Sequence, residues 1–393
     1  MSRLWDKGTP VSRKILEFTV GQDPVLDQRL IPYDLLASAA HARMLESCGH
    51  LTAAECSAMC QALQEIGQES LEISIEMEDC HTAIENRLTE KLGSLGGKIH
   101  LGRSRNDQVL AALRLYLLDA STGIRHAAHE VCQALDRLAE AQGDVAIPGY
   151  THLQQAMPSS VQLWAEGFSA EIRHSAGALD YAESLAGLNP LGSAAGYGTP
   201  GLNLDRNQVT AHLGFAATHQ PVTAPQLSRG KAEAALAFAG SLILQDIGRL
   251  GADLCLYASQ EFGFVRLAED ITTGSSVMPQ KRNPDVFELL RGHSAQAPAD
   301  LQAVLAVTAK MTSGYHRDLQ LVKEPLFRLI DRTLGCLDIA AYAVGRVEFD
   351  AARAAAVTDP GINAAEAAFR LVQQEGIPFR EAYRRIGKGT ETP

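Results

Sequence analysis

Apolar residues recur at helical spacing along most of the chain. From Asp107 nearly to Gly143 they follow at intervals of three, four or seven positions, as Leu113, Leu117, Ile124, Val131, Leu135 and Leu138. Such a stripe lies on one side of a single long helix. Similar patterns predict four further long helices, over residues 159–185, 231–260, 284–310 and 325–347. Alternating runs of Val, Ile and Thr are scarce, so the sequence predicts an all-α fold with little sheet.

The long helices are rich in alanine, which favours a bundle whose helices approach closely. Helices of this length often carry apolar residues on more than one side, which indicates contacts between subunits; a monomeric bundle with small residues inside is the alternative. The first hundred residues predict shorter helices, one of them begun by a capping box of Thr52 and Glu55. We therefore predict an N-terminal helical domain, a central bundle and a short C-terminal helical domain, over residues 1–106, 107–348 and 349–393.

Composition and charge restrict the classes of protein to which the chain can belong. Of 393 residues, 46% are hydrophobic, which is enough for a sizeable core. The net charge is −11, and a basic footprint for nucleic acid is missing. The longest apolar stretch, 234–244, is too short to cross a membrane, and the first residues lack the apolar core of a signal peptide. The seven scattered cysteines include no CxxC pair, so we expect free thiols, a cytoplasmic protein and no zinc site.

Four polar segments interrupt the helices and could carry chemistry. In Thr272–Asp285, TTGSSVMPQKRNPD, the cations Lys281 and Arg282 precede a predicted helix start at Asn283-Pro284, where free amides favour an anion. The other segments are Gly96–Gln108, with Lys98, His100, Arg103 and Arg105; Gly149–Pro158, with Thr151 and His152; and Tyr315–Pro325, with Arg317, Asp318, Gln320 and Lys323. Taken singly, the first segment is explained equally well as a linker. The second is more often a solvated basic turn, and the third a turn with a surface or satisfied core histidine. The fourth could be only a charged connector.

Together the four segments resemble a known family. GSSVMPQKRNP is similar to the signature of the fumarase/aspartase superfamily of lyases, and GGKIHLGRSRNDQ, GYTHLQQAMP and YHRDLQLVKE resemble its argininosuccinate lyase branch. The resemblance extends from LWDKG (residues 4–8), through FTVGQDPVLDQRLIPYD and AHARML, to GIPFREAY near the end. Fumarases and aspartases usually have glycine at the position of Gln280, and adenylosuccinate lyases lack the RSRNDQ segment. Several specific motifs in order carry more weight than one.

The resemblance implies a three-domain, all-α lyase whose central long-helix bundle assembles into a tetrameric helical core, with active sites shared between subunits. The implied reaction is β-elimination of argininosuccinate to arginine and fumarate, the last step of arginine biosynthesis, without metal or cofactor. The stretch between Phe18 and Asp27 is slightly longer than in many members, which leaves the substrate contact near Gly21–Asp23 unassigned. The C-terminal domain is short for the family.

Two alternatives to this activity remain at the level of sequence. One is another fumarate-releasing lyase, such as adenylosuccinate lyase. The other is a crystallin-like structural protein without catalysis. A purely structural role would not need Ser275, Lys281, His152 and Asn283 together, which argues against the second alternative.

The resemblance also assigns roles to residues. It implies that Ser275 is the base and that Lys281 stabilises the carbanion. It also implies that His152, paired with Glu288, orients or protonates through Thr151 or a water. An older, competing assignment makes His152 the base. The implied contacts of the succinyl carboxylates are Ser104, Arg105, Asn106, Thr151, Lys281 and Asn283. The implied contacts of the arginine half are Tyr315, Arg317, Gln320 and Lys323, with His81 lining the same pocket.

Overall fold

Helices dominate the part of the chain that the computed structural model describes, residues 12–389. The LWDKG motif at residues 4–8 and the last residues, 390–393, lie outside this range. Strands within it are few and short. The predicted all-α class is therefore confirmed.

The chain separates into two compact units. Among the described residues, unit 1 comprises 12–124, 177–240 and 297–331, and unit 2 comprises 125–176, 241–296 and 332–389. The three predicted domains, 1–106, 107–348 and 349–393, stay a prediction. The two units are described separately below.

The α-helices are numbered in chain order. The first eight are α1 (Arg13–Val20), α2 (Asp23–Leu26), α3 (Ile31–Ser47), α4 (Ala53–Ile66), α5 (Cys80–Leu92), α6 (Arg105–Gln142), α7 (Val161–Ala176) and α8 (Leu179–Ala186). The others are α9 (Arg206–Leu213), α10 (Ala224–Leu227), α11 (Lys231–Tyr257), α12 (Asp285–Thr308), α13 (Lys323–Val344), α14 (Ala351–Val357), α15 (Ala364–Glu375) and α16 (Phe379–Gly387). Short 3-10 helices occupy Asp27–Leu30, Gly93–His100, Glu269–Ile271, Arg317–Val322 and Pro360–Asn363.

Four of the five predicted long helices are confirmed, as α6, α11, α12 and α13. The prediction of one helix over 159–185 was wrong. That stretch contains the end of a strand followed by α7 and α8, which are separated by a turn at Gly177-Ala178. Glycine is a poor helix residue, so a break at this position is inexpensive.

The strands form three small sheets within residues 12–389. In unit 2, β1 (Ala146–Thr151) and β2 (Gln154–Ser160) make an antiparallel hairpin. In unit 1, β3 (Leu188–Asn189) pairs in parallel with β4 (Ala217–Thr218). In unit 2, β5 (Val265–Leu267) pairs with β6 (Val347–Phe349). Residues 149–158, predicted as a turn, therefore lie mainly in the hairpin.

Unit 1 is built around α3, α4 and α5. The capping box that begins α4 is confirmed: the Glu55 amide donates to Thr52 Oγ1 (3.2 Å), and the Thr52 amide donates to the Glu55 carboxylate (2.8 Å). These helices bury an aliphatic core that includes Ala42, Leu45, Met59, Leu63, Ile66 and Leu88.

Unit 2 combines close helix packing with an aromatic cluster. A Cβ on Gly248 would lie 2.1 Å from Ser294 Oγ, so α11 and α12 approach closely only because a glycine stands there. The aromatic cluster consists of Tyr150, Trp164, Tyr257, Phe262, Phe264 and Phe349. It packs the hairpin of β1 and β2 against residues that follow α11.

Two sequence expectations concern compartment and membrane. All seven cysteines are free thiols, as predicted. In the described part of the chain, every helix is too short or too polar to span a bilayer.

Candidate active site

Unit 1 contains a small cavity that brings together five predicted site residues. These are His81, Arg105, Tyr315, Gln320 and Lys323. The other residues of its wall are Asp23, Asp27, Asp79, Val109, Leu113, Arg229 and Leu319. The cavity has a volume of about 40 Å³, which is room for about three water molecules. A larger ligand therefore requires its walls to move.

Lys323, at the start of α13, is held by two carboxylates of unit 1. Its Nζ lies 2.6 Å from Asp27 Oδ1 and 2.8 Å from Asp23 Oδ1. Asp23 and Asp27 are four residues apart, which places both on one side of the chain. Burial opposes the charge of Lys323, but Asp27 and Asp23 outweigh it and raise the pKa of the ammonium. Burial likewise raises the pKa of Asp23 to about 6, against the attraction of Lys323.

His81, in α5, forms a buried ion pair with Asp34 of α3. Its Nδ1 lies 3.0 Å from Asp34 Oδ1, and both side chains are almost fully inaccessible. Burial lowers the pKa of His81, but the attraction of Asp34 exceeds that effect, so the net shift is upward. The other ring nitrogen, Nε2, has no hydrogen-bond partner among residues 12–389.

The same region contains three possible metal ligands, but they do not suit a cation. Asp27, Cys80 and His81 each offer an atom, and these atoms lie within 4.8 Å of one another. Burial raises the pKa of the Cys80 thiol well above its usual value, and His81 is stabilised as an imidazolium by Asp34. Metal ligation needs the deprotonated forms, and the Lys323 ammonium already contacts Asp27.

The predicted succinyl contacts Ser104, Arg105 and Asn106 lie at the start of α6. Arg105 Nη2 donates to Thr82 Oγ1 (3.0 Å), and its Nε lies 3.3 Å from Asp79 Oδ2. The Asn106 amide donates to Ser104 Oγ (3.3 Å). Arg105 lines the cavity, whereas Ser104 and Asn106 lie beside it in sequence and are half-buried.

Asp107, which sequence analysis did not assign to the site, organises this helix start. One carboxylate oxygen accepts from the Ser104 amide (2.9 Å). The other accepts from the amides of Gly192 (3.0 Å) and Ala194 (2.8 Å). Asp107 therefore attaches the start of α6 to the loop at 190–203. Burial raises its pKa to about 6, although the three amide bonds favour the charged form.

We expect Asp107 to give stability a distinctive pH dependence. Its folded-state pKa of about 6 exceeds that of a free aspartate, about 4. Folding therefore favours the protonated form, and the stability that this group contributes is complete below about pH 4 and is lost as pH rises through 6. The free energy of unfolding of wild type minus that of Asp107→Asn should fall by about 1–3 kcal/mol between pH 4 and 7. Urea unfolding across this range measures it; a pH-independent difference would contradict the assignment.

Arg317 and Gln320, two predicted contacts of the arginine half, hold the end of α1. Gln320 Nε2 donates to the carbonyls of Val20 (2.7 Å) and Thr19 (3.1 Å). Arg317 Nε donates to the Thr19 carbonyl (3.1 Å) and to Gln320 Oε1 (3.2 Å). Gly21 follows with φ +56°. These bonds fix the residues just before Asp23. This is the stretch in which the family resemblance left the substrate contact unassigned.

Tyr315 and Arg229 face one another on the cavity wall. The guanidinium carbon of Arg229 lies 5.6 Å from the centroid of the Tyr315 ring, which is within the range of a cation–π contact. Sequence analysis missed Asp23, Asp27, Asp79 and Arg229 as site residues. The spacing of Asp23 and Asp27 was an available signal, whereas Arg229, in LSRGKAE, is part of no motif.

In unit 2, Thr151 and His152 lie at the tip of the hairpin. Thr151 pairs with Gln154, and His152 and Leu153 form the two-residue turn between them. Both turn residues have positive φ, +55° and +60°, as a type I′ hairpin turn requires. The residues at the tip are exposed. The hairpin therefore presents the His152 imidazole outward from unit 2.

The signature loop in unit 2 is closed at its base. Thr273 and Asn283 exchange two backbone hydrogen bonds (3.2 and 2.8 Å). Ser275 Oγ accepts from the amides of Val277 (3.3 Å) and Met278 (3.1 Å). The Lys281 side chain is exposed, and its ammonium has no ion pair or hydrogen bond in the described part of the chain. Amide donors on a hydroxyl oxygen favour its deprotonated form.

The loop leads into α12 slightly later than predicted. The amides of Phe287 and Glu288 donate to the Pro284 carbonyl (2.9 and 3.2 Å), so Pro284 rather than Asn283 precedes the first helical residue. Glu288 lies exposed in the first turn. Among residues 12–389 of one chain it has no hydrogen bond or ion pair with His152. The predicted His152–Glu288 pair stays a prediction.

Comparisons with known proteins bear on the family and the fold of the chain. The family model described as Lyase matches residues 13–299. The argininosuccinate lyase of Sorangium cellulosum is 42% identical over 388 residues, which span 98% of this chain and 90% of that protein. The crystal structure of an EDDS lyase with formate superposes with a TM-score of 0.83 at 24% identity, over 96% of this chain and 76% of the other. A class II fumarase of Schistosoma mansoni superposes with a TM-score of 0.77 at 16% identity, over 96% and 93%. The chain therefore belongs to the argininosuccinate lyase family, carbon–nitrogen lyases of the fumarase/aspartase superfamily.

Proposed function

We propose that this chain cleaves argininosuccinate to arginine and fumarate by β-elimination, the last step of arginine biosynthesis. The observation that carries the proposal is the cavity of unit 1, whose wall presents cations and carboxylates side by side. The arginine half of argininosuccinate ends in a zwitterionic amino-acid group, which needs both. The 42% identity to an argininosuccinate lyase supports the same substrate.

The chemistry that we propose begins with Ser275. As an alkoxide, its Oγ takes the proton from the carbon next to a succinyl carboxylate. Oγ accepts hydrogen bonds from two loop amides, and these stabilise its negative charge. The electron pair left on carbon spreads into the carboxylate, where a nearby cation lowers the barrier. Lys281 supplies this cation. The C–N bond then breaks, its electrons pass to the guanidinium nitrogen, and His152, directly or through Thr151, returns a proton there.

The remaining residues bind. We assign the succinyl carboxylates to Ser104, Arg105, Asn106, Thr151, Lys281 and Asn283. We assign the arginine half to Tyr315, Gln320 and Lys323, with His81 on the same wall, and expect Arg317 to act by holding the end of α1. Lys323 is already neutralised by Asp23 and Asp27, so its role is to position these carboxylates as much as to contact the ligand.

The assembly that we propose is a homotetramer with active sites shared between subunits. Several large apolar side chains on the long helices are exposed, namely Phe238, Leu289, Leu305, Ile339 and Tyr342. Contacts between subunits would remove this apolar surface from water. This supports the assembly that the family resemblance implies.

A fumarate assay tests the function. Argininosuccinate should give a rising fumarate absorbance, whereas adenylosuccinate should give none. The same preparation should have a mass in solution close to four times 42.2 kDa. Fumarate from adenylosuccinate alone would make the chain a different lyase of the superfamily, and fumarate from neither would favour a structural protein.

A further inference from the structure

Arg229 is a buried cation that forms no ion pair in the described part of the chain. Its side chain lines the cavity of unit 1 and the residue is 9% exposed. Two of its guanidinium nitrogens, Nε and Nη1, have no hydrogen-bond partner among residues 12–389. Gln226, one turn earlier, is also buried, and both atoms of its amide lack a partner in the same range.

The surrounding protein does not neutralise this guanidinium. Glu233, one turn later, attracts Arg229 electrostatically, but no ion pair joins them in the described part of the chain. The Tyr315 ring at 5.6 Å contributes about 2 kcal/mol. A buried charge left unpaired costs several kcal/mol. Its persistence in a cavity wall therefore points to an anion that is supplied from outside unit 1.

The Asp27 carboxylate, on the same wall, is also incompletely paired. Asp27 Oδ1 contacts Lys323, but Asp27 Oδ2 is buried and has no hydrogen-bond partner among residues 12–389. The wall thus offers guanidinium donors and a carboxylate acceptor, both unused. A ligand group that carries a carboxylate and an ammonium on one carbon matches this arrangement.

We propose that Arg229 binds the α-carboxylate of the arginine half of the substrate. This inference rests on the proposed function, since it assigns one group of that substrate to one side chain. The position beside Tyr315 places Arg229 with the arginine half rather than with the succinyl half. Two adjacent N–H groups of a guanidinium, Nη2 together with either Nε or Nη1, form two parallel bonds with a carboxylate, which also fixes the orientation of the amino-acid end.

The test compares the product arginine with agmatine, which is arginine without its carboxylate. Calorimetry should show that the wild-type protein binds arginine about 10- to 100-fold more tightly than agmatine, the value of a charge-assisted hydrogen-bond pair. Arg229→Met should bind the two with equal affinity, with agmatine affinity unchanged. Arg229→Lys, which keeps the charge but loses the fork, should recover part of the preference. The control Lys231→Met removes an exposed cation two residues away and should leave the preference intact.

The thermal stability and the mass of the variants separate ligand binding from other roles. Without ligand, Arg229→Met should melt at or above the wild-type temperature, because it removes an unpaired buried charge. A lower melting temperature would assign Arg229 to the fold, and a lower mass in solution would assign it to a carboxylate of a neighbouring subunit; each overturns the inference. A wild-type protein that releases fumarate but does not prefer arginine, or a preference that survives in Arg229→Met, also overturns it. Absence of fumarate release would instead refute the proposed function.

Discussion

Replacement of Ser275 by alanine should lower the turnover of argininosuccinate by about 10²- to 10⁴-fold, the usual contribution of a positioned proton-transfer group. Serine is a poor base unless its alkoxide is stabilised. The amides of Val277 and Met278 point at Ser275 Oγ, and the Lys281 cation is on the same loop. Alanine removes the oxygen that accepts these two amide hydrogen bonds. The fold should persist, because Oγ bonds only to its own loop.

The neighbouring serine supplies a matched control for this prediction. Ser276 is exposed, so Ser276→Ala makes a chemically identical change one residue away and should stay within a few-fold of wild type. Turnover of Ser275→Ala at that same level would remove Ser275 from the base role and favour His152. Mixing Ser275→Ala with an inactive His152→Asn protein under subunit exchange should restore some activity if the sites are shared, and none if each site lies within one chain.

The second large effect is expected at Lys281. The reaction adds negative charge to a carboxylate that is already negative, so a cation there stabilises the transition state more than the bound substrate. Lys281→Met keeps the length of the side chain and removes the charge. Turnover should fall by about 10²- to 10³-fold, with a much smaller loss of substrate affinity. Lys281→Arg spreads the charge over a planar fork and should recover only part of the loss.

A substitution of Arg282 tests whether the effect comes from the Lys281 cation itself or from the total charge of the loop. It is the adjacent exposed cation, 3.6 Å from Glu269, and Arg282→Met should change turnover little. Binding must be measured by calorimetry, apart from the Michaelis constant, because the two agree only when chemistry is slow. If Lys281→Met weakens binding and leaves turnover near wild type, Lys281 docks the substrate and the carbanion is stabilised by other groups.

Periodicity predicted the long helices well because burial of one side repeats every turn. It failed where local chemistry decides the structure. The hairpin of β1 and β2 was missed because Pro148 and Pro158 stand opposite one another in it, and proline argues against a strand. The prediction of one helix over 159–185 was wrong because Gly177 interrupts an otherwise continuous pattern.

Some residues of the candidate site could likewise be predicted from the sequence, and others could not. Motifs of the family identified Lys323, Arg105 and Gln320, which do meet at one cavity. They did not identify Arg229 or Asp107, whose importance depends on burial and on partners far away in sequence. Asp107, for example, is recognisable only through the amides of Gly192 and Ala194, 85 and 87 residues later. No pattern along the chain encodes such contacts.

The turn at His152 and Leu153 has a consequence for how the chain could be improved. Asparagine and glycine adopt positive φ readily, but a leucine or histidine in the left-handed region costs about 1–2 kcal/mol. Selection of heat-resistant variants from a random library should therefore enrich Asn-Gly in place of His152-Leu153. Because His152 is also the proposed proton donor, this exchange should raise the melting temperature and lower the turnover.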